Sequence, residues 1–166
     1  MDRAEIVAAL TALGRRLASK DITGELYVVG GAALALAYAD RRSTRDIDAV
    51  FEPKMAIYEA AAEVAAELGL PDGWLNDAVK GFLVPDPESR QVLDIPGLRC
   101  FVASPKILLA LKVLAHRVGE DEDDVLLLAG IAGLDAADQV LATVEDVFGD
   151  RLDAAARFFV EELFDG

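Results

Sequence analysis

The stretch Val28-Val29-Gly30-Gly31, followed further along the chain by Asp46-Ile47-Asp48, decides the fold. Both parts lie among β-branched and aromatic residues, which predicts one strand ending at the glycines and another that carries the aspartates. Because successive side chains of a strand point to opposite faces, Asp46 and Asp48 are expected on one face and Ile47 in the core. Paired carboxylates of this kind are typical ligands for a hard cation such as Mg²⁺.

Working outward, the hydrophobic pattern predicts an alternation of strands and helices. Strands are expected at 25–29 and 46–51, and apolar runs at 81–84, 91–95 and 98–103 predict further strands or hairpins at a sheet edge. The predicted helices, in chain order, are 2–19, 31–39, 53–68, 104–117, 121–132, 135–148 and 151–164. The fold class is therefore α/β (α+β), with a small mixed sheet flanked by helices and a helical C-terminal tail.

The length of 166 residues fits a single domain 1–166. Within it we expect a sheet core over 20–103 and a helical part over 104–166. The chain has no apolar run long enough for a membrane helix and no basic signal peptide, so we expect a cytoplasmic protein with no membrane contact. A single cysteine, Cys100, excludes an internal disulfide and is expected to be a packed core thiol.

The charge balance limits the class of partner. With 30 acidic and 16 basic side chains, the formal net charge is −14, which repels polyanions at long range. Any contact with nucleic acid must therefore be local. One basic group suited to this is Arg41, Arg42 and Arg45, which lies directly before the aspartate pair.

The residues of this region resemble a known family. Residues 29–36, then Arg41 and Ser43-Thr44-Arg45-Asp46-Ile47-Asp48, are similar to the first motif of the DNA polymerase β-like nucleotidyltransferase superfamily. The resemblance is closest to the bacterial branch of AbiEii/MenT-type toxin nucleotidyltransferases and their small uncharacterised relatives. Where that superfamily commonly has Gly-Ser, this chain has Gly30-Gly31, so a hydroxyl contact to phosphate would pass to Ser43 or Thr44.

A second motif follows in the order that this branch has. Ser104-Pro105 begins a helix that carries Lys112, and Arg117 comes next, followed by Asp121 and Asp124. The two motifs in order are more specific than an isolated Asp-x-Asp. The resemblance covers about residues 25–128.

The resemblance implies a minimal polymerase-β-like core that transfers a nucleoside monophosphate from a nucleoside triphosphate to a hydroxyl acceptor, with Mg²⁺ or Mn²⁺ as cofactor. Asp46 and Asp48 are expected to hold the metal, and Lys112 to contact a phosphate. The residues expected to bind the nucleotide are Gly30, Gly31, Arg41, Ser43, Thr44 and Arg45. The possible second-motif residues are Arg117, Asp121 and Asp124.

A third carboxylate is expected on a strand next to the aspartate pair, because the superfamily usually places one there. Asp94, within Val92-Leu93-Asp94-Ile95, is the first candidate for a catalytic and metal-binding role. Asp86 and Asp77 are weaker candidates.

Several acceptors and partners remain open. Within the toxin branch the acceptor is the 3′ end of a tRNA and the partner a cognate antitoxin protein. A protein or small-molecule hydroxyl is the alternative acceptor. Two further alternatives are a non-catalytic nucleotidyltransferase-like binding domain and a helical interaction module that presents Val140, Val144 and Val147 to a partner.

Overall fold

Two compact units make up the chain, in a computed structural model that describes residues 1–39, 42–77 and 84–166. The first unit is Met1–Ala103 and the second is Ser104–Gly166. The first contains a mixed sheet with helices, and the second contains helices only among its described elements. This confirms the predicted fold class.

The sheet of the first unit has five strands within the described residues. In chain order they are β1 Gly24–Val29, β2 Ile47–Glu52, β3 Leu75–Asn76, β4 Arg90–Ile95 and β5 Leu98–Val102. They lie in the order β3-β2-β1-β5-β4. β1 is antiparallel to β2 and parallel to β5, β2 is parallel to β3, and β4 is antiparallel to β5. β5 is thus an inner strand and not an edge strand as predicted, while most of the run predicted at 81–84 lies outside the described residues.

The described part of this unit contains the α-helices α1 Arg3–Ala18, α2 Gly30–Ala33 and α3 Lys54–Leu68. α2 is shorter than predicted, because the chain widens into a turn of π-helix over Leu34–Tyr38. α3 ends where the sequence predicts, since Gly69 adopts a left-handed conformation with φ of 67°.

The core of this unit lies on one face of the sheet. Side chains of β1, β2 and β5 alternate between buried and more exposed positions, as expected for a sheet covered on one side. α1 packs against α3 and β5, and it buries Ile6, Leu10, Leu13 and Leu17 completely. Cys100 is fully buried, and this burial raises the pKa of its thiol to about 12, which fits the predicted core thiol.

The turn between β4 and β5 lies close against α1. Gly97 has φ of 88°, and a Cβ atom added there would lie 2.0 Å from the carbonyl oxygen of Gly14. We expect Gly97→Ala to lower the free energy of unfolding by about 2 kcal/mol, because backbone would have to move to relieve the contact. Urea unfolding measures this. Gly73→Ala is the matched control, since no heavy atom lies within 4 Å of its added Cβ; equal stability of the two variants would contradict the close approach.

The second unit has four helices in its described range: α4 Pro105–Leu114, α5 Glu122–Ile131, α6 Ala137–Phe148 and α7 Ala154–Asp165. α4 packs against each of the other three. It begins at the proline that the sequence indicates but ends at Leu114, three residues before the predicted end. No described helix of the chain is both long and apolar enough to cross a membrane.

The apolar stripe that was considered as a partner surface is instead part of this unit's core. Val140 and Val144 on α6 are fully buried, and Val147 is half-buried. α6 packs against α4 and α7, so its apolar face is already covered. This burial argues against the alternative of a helical interaction module that presents the stripe to a partner.

Candidate functional site

The glycine turn and one aspartate of the pair lie side by side. β1 and β2 pair so that Val29 lies opposite Asp48, and Gly30 follows with φ of 65°. A Cβ atom added to Gly30 would lie 3.4 Å from Asp48 Oδ2. The backbone at Gly30 therefore approaches the carboxylate closely, in a conformation that side chains rarely adopt.

The second aspartate of the pair lies just before the strand. β2 begins at Ile47, so Asp46 precedes the strand by one residue and is half-buried. Its Oδ2 accepts a hydrogen bond of 3.4 Å from the side-chain amide of Asn76. Ile47 itself is fully buried, as expected from the alternation of faces.

The hydroxyl-bearing segment supports the turn from the other side. A Cβ atom added to Gly31 would lie 3.1 Å from Thr44 Oγ1. That hydroxyl donates a hydrogen bond of 3.0 Å to the backbone oxygen of Asp46. Thr44 thus joins the glycine turn to the start of β2. Ser43 and Arg45 are exposed, and Arg41 lies outside the described residues.

Asp94 does not lie with the other two aspartates. It is on β4, at the far edge of the sheet, and β1 and β5 separate β4 from β2. Neighbouring strands are about 4.8 Å apart, so three spacings amount to roughly 14 Å. The strand register separates them further. Asp94 pairs with Arg99 on β5, which pairs with Glu25 on β1. Glu25 in turn pairs with Glu52, which lies at the opposite end of β2 from Asp48. The prediction that Asp94 completes the metal site is corrected by this strand order.

The weaker candidates for a third carboxylate have other partners. Asp77 forms an ion pair with Lys54 and accepts a hydrogen bond from the hydroxyl of Tyr58. Asp86 accepts a hydrogen bond of 2.6 Å from the hydroxyl of Tyr27. Burial and the hydrogen bond to this carboxylate raise the pKa of Tyr27, so Tyr27 remains a hydrogen-bond donor at neutral pH.

The donor set nevertheless fits Mg²⁺. Within the described ranges no group of three or more His, Cys, Asp or Glu side chains could hold a metal ion. Mg²⁺ commonly takes only one or two protein carboxylates and completes its shell with water and substrate phosphates. Asp46 and Asp48, with only oxygen atoms to offer, meet that requirement.

The second-motif residues come together in the second unit. Lys112 Nζ lies 3.2 Å from Asp121 Oδ1 and 3.1 Å from Asp124 Oδ2. Both carboxylate side chains are only 3% exposed, and Lys112 is 17% exposed. The packing of α5 on α4 thus buries two carboxylates with one ammonium group.

Arg117 closes this cluster from the surface. Its backbone N–H donates a hydrogen bond of 2.7 Å to Asp121 Oδ2, and its guanidinium lies 3.1 Å from Asp121 Oδ1. Burial by itself would raise the pKa of Asp121, but the hydrogen bonds from Arg117 and the charge of Lys112 outweigh it. The pKa of this carboxyl therefore lies below its ordinary value of 3.8.

This lowered pKa predicts an acid-dependent loss of stability. A carboxyl whose pKa is lower in the folded state stabilises the fold above its unfolded pKa, and this contribution disappears as the pH falls through the folded pKa. We expect Asp121→Asn to flatten the decrease in unfolding free energy below about pH 4. Urea unfolding between pH 6 and pH 2 measures the slope. Asp123→Asn changes an exposed neighbour and serves as the control; if both variants keep the wild-type slope, Asp121 does not contribute.

Sequence reasoning did not single out Asn76, whose side chain contacts Asp46. Two residues earlier lies Trp74, which is fully buried and whose indole N–H donates a hydrogen bond of 2.9 Å to the carbonyl of Ala61. The backbone oxygen of Trp74 accepts a hydrogen bond from Ile47 N. The one signal in the sequence is the tryptophan itself, because so large an apolar side chain directly before Leu75-Asn76 favours packing of this segment on the core.

A family model described as a nucleotidyltransferase of unknown function (DUF6036) matches residues 6–138, which includes both motifs. Comparisons with curated proteins and with solved structures give no match.

Proposed function

Because the chain belongs to the nucleotidyltransferase family DUF6036, whose function is unknown, we propose that it transfers a nucleoside monophosphate from a nucleoside triphosphate to a hydroxyl acceptor. The observation that carries this proposal is the approach of Gly30 to Asp48, where an added Cβ would lie 3.4 Å from Oδ2. A phosphate-binding turn and a cation-binding carboxylate have to be neighbours in such a site, since the cation must contact the same phosphates.

The chain's own residues provide the binding and orientation. Gly30 and Gly31 have no side chains to keep a triphosphate away from the backbone, and the first N–H groups of a helical segment are free of intrahelical bonds. Thr44 holds this turn against the start of β2 through its hydrogen bond to Asp46. Rigid placement of this kind is what transfer in line requires.

The proposed transfer is a single substitution at the α-phosphorus of the nucleoside triphosphate. The acceptor hydroxyl oxygen forms a bond to the α-phosphorus, and the bond from that phosphorus to the bridging oxygen breaks. Pyrophosphate leaves with the electron pair, and the hydroxyl proton passes to water. Mg²⁺ held by Asp46 and Asp48 would supply charge neutralisation at the attacking and leaving oxygens.

The acceptor that receives the nucleoside monophosphate can be a nucleic acid, a protein or a small molecule. The order of the two motifs predicts that the chain belongs to the AbiEii/MenT branch. In that case the acceptor is the 3′ end of a tRNA and the partner is an antitoxin, and both stay predictions. The net charge of −14 favours a protein or small-molecule hydroxyl instead, because it opposes the approach of a polyanion. The phosphate contact expected of Lys112, in the second unit, also stays a prediction.

A crystal grown with Mg²⁺ and the α,β-methylene analogue of each common nucleoside triphosphate tests the proposal. We expect triphosphate density beside Gly30 and Gly31, with a metal ion on Asp46 and Asp48. Such analogues cannot be cleaved at the α,β position, so the bound state is preserved. Density at another place, or none at millimolar analogue, would contradict the proposal.

A further inference from the structure

β3 places one amide directly beside the aspartate pair. It pairs in parallel with β2, with Leu75 opposite Ile47 and Asn76 opposite Asp48. Leu75 is only 2% exposed and lies on the core face, so Asn76 lies on the face of Asp48. Asn76 is half-buried.

The side-chain amide of Asn76 contacts Asp46. Asn76 Nδ2 lies 3.4 Å from Asp46 Oδ2. On the other side of β2, the residue opposite Asp48 is the apolar Val29. Asn76 is thus the polar side chain that a neighbouring strand brings to both aspartates, at the place where Asp94 was expected to contribute.

We propose that Asn76 is the third member of the site, a positioning residue that holds Asp46. Because its amide is neutral, the site carries only the two negative charges of Asp46 and Asp48. This inference rests on the proposed function. The affinity of an oxygen site for divalent cations rises with the number of charged ligands. A neutral amide in the third place therefore makes the site a poor binder of free cations and a good binder of a cation that arrives on a triphosphate.

Metal binding tests this independently of turnover. Mn²⁺, which is paramagnetic, takes the place of Mg²⁺, and the free ion is measured by electron paramagnetic resonance during titration of the full chain. Each variant is titrated alone and with the α,β-methylene analogues of ATP, GTP, CTP and UTP. For the wild type we expect weak binding of Mn²⁺ alone and at least about tenfold tighter binding with one analogue.

Two variants of Asn76 should change Mn²⁺ binding in opposite directions. Asn76→Asp adds a third charge and should tighten binding of Mn²⁺ alone by about tenfold. Asn76→Ala releases Asp46 and should weaken analogue-dependent Mn²⁺ binding by about tenfold. The gain in Asn76→Asp requires that residue 76 lies within reach of the cation, and the loss in Asn76→Ala, in a variant that melts like the wild type, requires that the amide positions Asp46. Asp94→Asn, at the far edge of the sheet, is the control and should leave both affinities unchanged.

The failures can be told apart. If Asp46→Asn abolishes Mn²⁺ binding but both variants of Asn76 bind like the wild type, the role of Asn76 is overturned and the proposed function is kept. If Asp46→Asn leaves Mn²⁺ binding unchanged, the metal is not held here and both proposals fail. If Asn76→Asp does not fold, Asn76→Ala decides, and wild-type Mn²⁺ affinity in that variant overturns the inference.

Discussion

Asp48→Asn is expected to lower the rate of nucleotidyl transfer by about a thousandfold. Asp48 lies opposite Val29 and beside the backbone of Gly30, where it would hold the cation against the triphosphate. Asparagine has nearly the same shape, so the fold should be kept while the charge is lost. Stabilisation by a metal ion is worth several kcal/mol, and about 4 kcal/mol corresponds to a thousandfold in rate.

The measurement is transfer of label from α-³²P-labelled nucleoside triphosphates to the RNA, protein and small-molecule fractions of a cell extract. The fraction that becomes labelled identifies the acceptor class. Asp94→Asn makes the same chemical change on the edge strand β4 and is expected to keep the wild-type rate. Equal rates for Asp48→Asn and the wild type would contradict the catalytic role of Asp48.

Lys112→Met should lower the free energy of unfolding by about 4 kcal/mol, because breaking a buried ion pair leaves uncompensated charge in the interior. Lys112 contacts both Asp121 and Asp124, whose side chains are 3% exposed. Methionine keeps the length of the side chain but not its charge. Arg117 still reaches Asp121, so this carboxylate keeps part of its charge compensation in the variant.

Urea unfolding followed by circular dichroism measures this effect. Lys106→Met changes an exposed lysine on the same helix and should alter stability by less than about 0.5 kcal/mol. The double variant Lys112→Met/Asp124→Asn should recover part of the loss, since it also removes the charge of one of the two carboxylates that Lys112 contacts. If Lys112→Met is as stable as Lys106→Met, the buried cluster does not stabilise this unit.

Local features of the fold could be predicted from the sequence. The alternation around Asp46-Ile47-Asp48 predicted a buried Ile47, and Ile47 is fully buried. Pro105 and Gly69 correctly marked a helix start and a helix end. Each of these depends on backbone preferences or on a period of two within a few residues, which the sequence displays directly.

Strand order could not be predicted in the same way. The strand that carries Asp94 was anticipated, but its place depends on β5 pairing with β1, a contact between distant parts of the chain. The edge position predicted for 91–95 is confirmed, but the pattern does not tell which of the two edges, the one near β2 or the one far from it, this strand occupies. Asn76 was missed for a different reason. β3 has only two residues, which is too short for an alternating pattern to be recognised in the sequence.

The pairing of β1 with β2 has a consequence for how losses of activity can be interpreted. If β2 were shifted by one residue, Ile47 and Phe51 would turn outward and Asp48 would enter the apolar interior, which is a costly arrangement. A folded molecule therefore has β2 in this one register. A folded but inactive variant of Asp48 has then lost a chemical group, and not the strand pairing that places residue 48 beside Gly30.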